Sequence, residues 1–447
     1  MSLIQSALAP QTWPFPAQDL PHSAYLVGGC VRDALLQRET PYLDLDFVLP
    51  EAAVETARKI AQRCHAGFVL LDAEREIARV VFPQATADFA LQVGTSLEED
   101  LHRRDFTINA IAYHPFTDTI IDPLQGQQDL KAGILRMIAA QNLAEDPLRL
   151  LRAYRQAAQL GFSLDPHTQV TICQLTPKLA DIAAERIKVE LGYLLSEAAA
   201  TPWVHQVWQD GLLKSSFPDA TATRLALLPA LDQAAVLLEQ HIPDLARALS
   251  QELNERAQGK EAAQRTLLST SKWIGLVSDC PTQAELTLKQ MKFSRGEINV
   301  ITRLLTCWPQ LTKLTQQRNN SRADQYHFFQ TAKTVFPAVV LVTLAAELME
   351  QKNSNRPDQA SPLPYLKSLA PWIEEYLNPH SPLAHPQPPL SGTALMKALC
   401  LSPGPEVGRL LSQLTLAQAE GQIKTPEEAL KLAQTLLGST PPLSDYE

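Results

Sequence analysis

Three groups of residues in this chain could do chemistry together. The first joins Leu26–Asp33 (LVGGCVRD) to Leu43–Leu49 (LDLDFVL). On a strand, residues i and i+2 face the same way, so Asp44 and Asp46 are expected to present two carboxylates on one face. Held parallel without a cation, two carboxylates are costly. With one they suit Mg²⁺, a hard ion that takes oxygen ligands and substrate phosphates. Gly28-Gly29 opens an expected helix from Val31, whose free N–H groups and dipole can receive phosphate oxygens. A strand, a Gly-Gly turn, a helix and a strand bearing Asp-x-Asp thus describe a nucleoside-triphosphate–Mg²⁺ site.

The second group is Leu101–Asn109 (LHRRDFTIN). Arg103 and Arg104 offer planar forks for phosphate oxygens, while Asp105 and Asn109 suit ribose hydroxyls. The third is Glu145–Arg149 (EDPLR), continuing to Arg152 and Arg155. Asp146 and Arg149 lie three apart and are expected on one helical face near its N-terminus. A carboxylate beside a guanidinium can read a base. Cytosine and adenine pair an exocyclic amine with a ring-nitrogen acceptor, whereas uracil and guanine present the reverse polarity. Asp146 accepting and Arg149 donating fit the first two and leave the others with unpaired polar groups. Each group alone has a plainer reading: a solvated strand with a glycine turn, a surface Arg–Asp cluster, and an N-cap with an ordinary ion pair. Their occurrence in one order and spacing is what favours the site.

The series GGxVRD, DxD, RRDFTxNA (Arg103–Ala110), DPLQGQQDL (Asp122–Leu130), EDxxRxLRxxR (Glu145–Arg155) and ERI (Glu185–Ile187) resembles the class II tRNA nucleotidyltransferase/poly(A) polymerase family of the polymerase-β superfamily. The likeness runs through residues 24–195, and residues 391–425 resemble the family's C-terminal helical region. It implies that Asp44 and Asp46 hold the Mg²⁺ ions, one activating a tRNA 3′-hydroxyl and one stabilising the pyrophosphate leaving group. It implies that Gly28, Gly29 and Arg32 lie by the triphosphate, and Arg104, Asp105 and Asn109 by phosphate and ribose. Asp146 and Arg149 would template the base, with Glu145 orienting Arg149 and Arg152 and Arg155 completing the nucleotide-binding set. Asp88 is a possible third carboxylate. The implied reaction adds C, and in some members A, from CTP and ATP to tRNA. Only 17 positions separate Asp88 from Asp105, and no TTFR-like stretch lies between them, unlike members that add the full CCA. CC addition is therefore favoured over CCA addition. A poly(A) polymerase or a catalytically silent RNA-binding relative are the alternatives.

The elements that must position these groups follow from patterning. Residues 24–140 read as mixed α/β, with strands at Ala24–Val27, Leu43–Leu49, Phe68–Leu71, Arg79–Phe82 and Asp88–Leu91 and a helix over Val54–Cys64. From about 141 the texture is helical, and Asp146-Pro147 reads as an N-cap before a first-turn proline. The expected class is α+β: a nucleotidyltransferase head (1–140), a helical neck with the base template (141–200), a helical body (201–352), a Pro-rich linker (353–390) holding nine of the 33 prolines, and a helical tail (391–447).

Bulk composition narrows the partners. The chain has 447 residues, 45% of them hydrophobic, and a net charge of −9, which argues against a polybasic nucleic-acid coat. Residues 286–322 nonetheless carry seven basic residues (Lys289, Lys292, Arg295, Arg303, Lys313, Arg318, Arg322) against Glu297, a patch suited to tRNA phosphates or simply a solvated face. Six scattered cysteines form no CxxC pair, so neither zinc nor a disulfide framework is suggested. No apolar stretch reaches the roughly 20 residues of a membrane span and no signal-peptide pattern opens the chain, so a cytoplasmic setting is expected.

Overall fold

A computed structural model describes residues 7–38, 42–197, 200–251, 266–317, 320–353 and 363–438. The chain divides into two compact units, Met1–Ser215 and Ser216–Glu447.

The first unit is built on strands β1 (Tyr25–Val27), β2 (Leu43–Leu49), β3 (Gly67–Asp72), β4 (Ile77–Phe82), β5 (Ala85–Leu91), β6 (Ala112–His114) and β7 (Thr119–Ile121). They form one sheet in the order β3-β4-β5-β2-β1-β6-β7. Only β2 and β5 pair in parallel, with Asp44 opposite Thr86 and Asp46 opposite Asp88. Helix α1 (Gly29–Leu35) follows β1, and α2 (Ala53–Arg63) spans the β2-to-β3 connection.

Alternation along β2 decides where the site opens. Leu43, Leu45, Phe47 and Leu49 are buried, and Phe47 stacks on Phe89 of β5 at 5.2 Å between ring centroids. Helix α2 packs on β4 and β5 with Ala53, Ala57, Ile60 and Ala61 inside. On the opposite face Val48 joins Val27, Leu101, Ala110 and Ala112 in a second apolar cluster. That cover stops short of Asp44, which is exposed, and Asp46, which is half-buried. Hydrophobic burial on both faces thus anchors one end of β2 and leaves the two carboxylates at the open end.

The unit continues through α3 (Leu97–His102), a 3₁₀ turn at Thr107–Asn109, α4 (Gly126–Ala132) and the short parallel pair β8 (Ile134–Leu135) and β9 (Ser163–Leu164). Helices α5 (Ala140–Glu145), α6 (Leu148–Leu160), α7 (Pro166–Leu175), α8 (Ala184–Ser196) and α9 (Thr201–Gln209) complete it. Helix α6 packs on α8 and α9 and buries Leu148, Leu151 and Ala158, the stripe expected from sequence. Gly161 ends it at φ +71.

Every regular element among the described residues of the second unit is a helix. Its segment Arg322–Gln351 is long and apolar enough to cross a membrane, with mean hydropathy 1.6; 67% of that window is buried within the fold, as in a core helix. One expectation is corrected here. Leu363–Leu377 lies in the stretch read as a Pro-rich linker, yet it is a helix containing Pro371. Its stripe Leu366, Leu369, Trp372 and Ile373 is buried, and Trp372 meets the rings of Phe328 and Phe329. Burial of that stripe outweighs the cost of one proline in the helix.

Candidate active site

Asp44 and Asp46 sit on the open face of β2, as the strand period requires. Thr86 on β5 donates its hydroxyl to Asp44. Burial raises the Asp46 carboxyl to about 7, helped by the charges of Asp44 and Asp88; Arg104 and Arg79 only partly offset this. Asp88 lies directly opposite Asp46, but both its oxygens accept from Arg79 at 2.7 Å. Its carboxylate is therefore engaged in a bidentate ion pair across β4 and β5. Gly28 approaches the same corner at φ +79, where a side chain is strained. A Cβ there would stand 3.4 Å from the Arg104 guanidinium and 3.5 Å from Asp46. The turn, the carboxylates and Arg104 are thus neighbours. Cys30 of α1 donates its thiol to the Val27 carbonyl at 3.1 Å, and burial pushes that thiol far above its usual range, so it packs as a neutral group.

A chain of polar side chains ties this corner to α6. Arg32 donates to Asp33 through Nε and Nη2 and to Asn109 Oδ1 at 2.8 Å. Asn109 donates to Asp105 and to Gln156, each at 2.9 Å. Asp105 also receives the Phe106 N–H and both Nε and Nη2 of Arg152 at 3.1 and 3.0 Å. Burial alone would raise the Asp105 carboxyl, but Arg152, Asn109, the Phe106 N–H and Arg149 together hold it below the usual carboxylate value. Arg104 is held by Asp100 one helical turn back, at 3.0 Å. Arg155 is engaged elsewhere. It pairs with Glu190 of α8 at 2.6 Å, donates to Gln159 and stands over the Tyr193 ring, so its placement is that of a packing residue.

Asp146 and Arg149 are arranged differently from the expected i, i+3 pair. Pro147 has no N–H to continue α5, so the chain breaks at Asp146 and α6 begins at Leu148 with Pro147 as N-cap. Asp146 caps nothing with its side chain, and its backbone oxygen accepts the Arg149 N–H at 3.0 Å. Its two carboxylate oxygens instead lie 3.3 Å from Nη2 of Arg186, in α8. Arg149 uses Nη1 to donate to the carbonyls of Arg103 and Asn142, both at 3.0 Å. Glu145, expected to orient Arg149, pairs with Arg103 at 3.8 Å. Backbone carbonyls take over the orienting role because Asn142 clips its amide to the His102 and Arg104 carbonyls, drawing the 102–104 turn against α5.

Comparison with known proteins matches this chain to named families. The poly(A) polymerase head domain model matches residues 24–136, a model described as a probable RNA- and SrmB-binding site of polymerase A matches 161–223, and a tRNA nucleotidyltransferase domain 2 model matches 268–433. A CC-adding tRNA nucleotidyltransferase of Synechocystis sp. is 42% identical over 426 residues, covering 95% of this chain and 96% of its own. This chain belongs to the tRNA nucleotidyltransferase family. An A-adding tRNA nucleotidyltransferase of Deinococcus radiodurans is 30% identical, covering 95% and 98% of the two chains. A solved CCA-adding enzyme in complex with ATP superposes with TM-score 0.67 at 20% identity, over 93% of this chain and 91% of that one, and shows the shared fold.

Nucleotidyltransferases of this family generally depend on a divalent metal. The residues present fit one. Asp44 and Asp46 are hard oxygen donors on one strand face, and the acidic charge around Asp46 is only partly offset by Arg104 and Arg79. Other family motifs turn out to support rather than touch this corner. Asp122 accepts the N–H groups of Gly126 and Gln127 at the start of α4, and Thr107 donates to Asp129 at 2.7 Å. Gly126 is required because a Cβ there would fall 2.3 Å from the Thr107 carbonyl oxygen. The DPLQGQQDL segment is therefore a buttress behind Thr107–Asn109. Arg79 and Gln156 carried no sequence signal as site residues, and Arg186 only its place in the ERI motif, since each meets its partner on another element. Of the basic patch in the second unit, Lys289 pairs with Glu285 and Arg322 donates to the Ala419 carbonyl, while Arg318 lies outside the described residues.

Proposed function

We propose that this chain is a cytoplasmic, Mg²⁺-dependent enzyme that adds cytidylates from CTP to the 3′ end of tRNA without a nucleic-acid template. The observation that carries this reading is the common corner of Asp44, Asp46, Gly28 and Arg104, within the same unit as the Asp146/Arg149 base reader. Asp44 and Asp46 would hold the Mg²⁺, which when bound supplies positive charge to the reacting phosphates and hydroxyl. Arg104 adds a fixed guanidinium beside Asp46, and Gly28 leaves that approach free of side-chain bulk. The Gly28-Gly29 turn and Arg32 serve the triphosphate. Asp105, Asn109 and Arg152, whose hydrogen bonds are spent on one another, hold the nucleotide frame rigid. Asp146 accepts the exocyclic amine and Arg149 donates to the ring nitrogen beside it.

Stopping after CC is supported by a short connection. β5 ends at Leu91 and α3 begins at Leu97, leaving little chain for the longer loop of full CCA-adding members. The Synechocystis relative named for CC addition points the same way. A-only addition is the second reading, favoured by the Deinococcus relative. The test offers tRNAs ending before CCA, after C and after CC, with CTP, ATP, UTP and GTP singly and together. Two added C residues and no adenylation are expected. Adenylation of the CC end overturns CC specificity, and long A tracts on unrelated RNA indicate a poly(A) polymerase.

A further inference from the structure

Base selection by two side chains requires that both be held still, and the two halves of this reader are held by different means. The donor half is fixed by backbone: Arg149 Nη1 bridges the carbonyls of Arg103 and Asn142, leaving Nη2 with no protein partner among the described residues. The acceptor half has no such anchor. Asp146 lies in the break between α5 and α6, at φ −130 and ψ 89, where no helix constrains it. Among the described residues its carboxylate is hydrogen-bonded by one side chain, Arg186, whose Nη2 is 3.3 Å from both oxygens, while Arg152 attracts it through charge without a hydrogen bond. Arg186 stands in the first turn of α8, and α8 is itself clamped to α6 by Arg155–Glu190.

We infer that Arg186 is a positioning residue for base selection, aiming the Asp146 carboxylate at the exocyclic amine of the incoming nucleotide. The inference rests on the template reading above. An exposed ion pair of this kind adds little stability, so its worth lies in orientation. Arg186 shares one nitrogen between both oxygens, so each oxygen keeps lone pairs for a base amine. A carboxylate released from Arg186 would sample rotamers and accept less reliably from cytosine, while penalising uracil less. The expected signature is lost discrimination with the reaction itself spared. Asp44, Asp46 and Arg104 are untouched by the change.

The test measures kcat and KM for CTP and UTP on tRNA lacking CCA, with the full-length protein. Arg186→Met is expected to raise KM for CTP and lower the CTP-over-UTP preference about tenfold, with kcat for CTP within about twofold and an unchanged melting temperature. Arg186→Lys, which keeps charge but not the planar fork, is expected to fall between Arg186→Met and wild type. Folded variants with unaltered CTP/UTP preference overturn the inference, as does a fall in kcat with preference intact. Asp146→Ala and Arg149→Ala separate the two levels. If they abolish preference while Arg186→Met and Arg186→Lys retain it, only the positioning role fails. If they too leave preference unchanged, the template reading fails and carries this one with it.

Discussion

Asp46, half-buried, and Asp105, buried, are carboxylates of the first unit whose environments push them in opposite directions. Asp46 is raised to about 7, because burial and the neighbouring Asp44 and Asp88 outweigh Arg104 and Arg79. Asp105 is held low, because two N–H groups of Arg152 on one oxygen, and an amide and a backbone N–H on the other, saturate its carboxylate. Burial by itself therefore does not mark a functional acid. A carboxylate with its hydrogen bonds complete is a clamp, and one left with uncompensated charge is a place for a cation.

The strongest challenge to this contrast is removal of the open pair. Asp44→Ala with Asp46→Ala is expected to cut nucleotide incorporation by at least about 10³-fold, read on a tRNA extension gel, without loss of folded structure. Unchanged incorporation would remove these acids from the chemistry. Stability should divide the two carboxylates next. Asp105→Asn leaves Arg152 without its charge partner and is expected to cost about 2–4 kcal/mol in denaturant unfolding. Asp46→Asn should instead stabilise the metal-free protein at pH 8 by about 1 kcal/mol. Equal effects of the two changes would erase the distinction.

Titration sharpens it further. Asp46 has a raised folded value, so ionising it costs the metal-free fold progressively from its ordinary value near 4 up to about 7, and the full cost persists above. Protons then compete with the cation, and Mn²⁺ affinity in a binding titration should fall by about tenfold per pH unit below about 7. Asp105 has a depressed folded value, so its contribution is complete above the ordinary value and is lost only as pH falls through the lower folded one. The Asp105→Asn penalty should accordingly be flat between pH 5 and 8. The smallest effect concerns Asp88. Arg79→Ala would free Asp88 and remove a positive charge beside Asp46, raising Mn²⁺ affinity by about threefold. Weaker binding would show that Arg79 organises the carboxylates instead of masking one of them.

Local pattern and local chemistry determined a good deal by themselves. The strand period placed Asp44 and Asp46 on one face, the Gly-Gly turn between β1 and α1 was legible, and residue spacing gave the α6 stripe and its end at Gly161, because each depends on neighbours within one or two turns of chain. Tertiary structure alone decided the partners. Arg79 closes Asp88 through β4–β5 register, Asp105 reaches Arg152 on a later helix, and Asp146 is met by Arg186 forty residues on. Spacing placed Asp146 and Arg149 side by side on one helical face; the proline break leaves Asp146 outside α6, and the two side chains meet separate anchors. The Leu363–Leu377 helix was likewise hidden under its prolines until Phe328 and Phe329 supplied a surface for its apolar stripe. Sequence carries the residues able to do the chemistry and the elements that bear them. Which charges stay uncompensated is settled only when distant elements meet, since a partner's distance in space is not written in its distance along the chain.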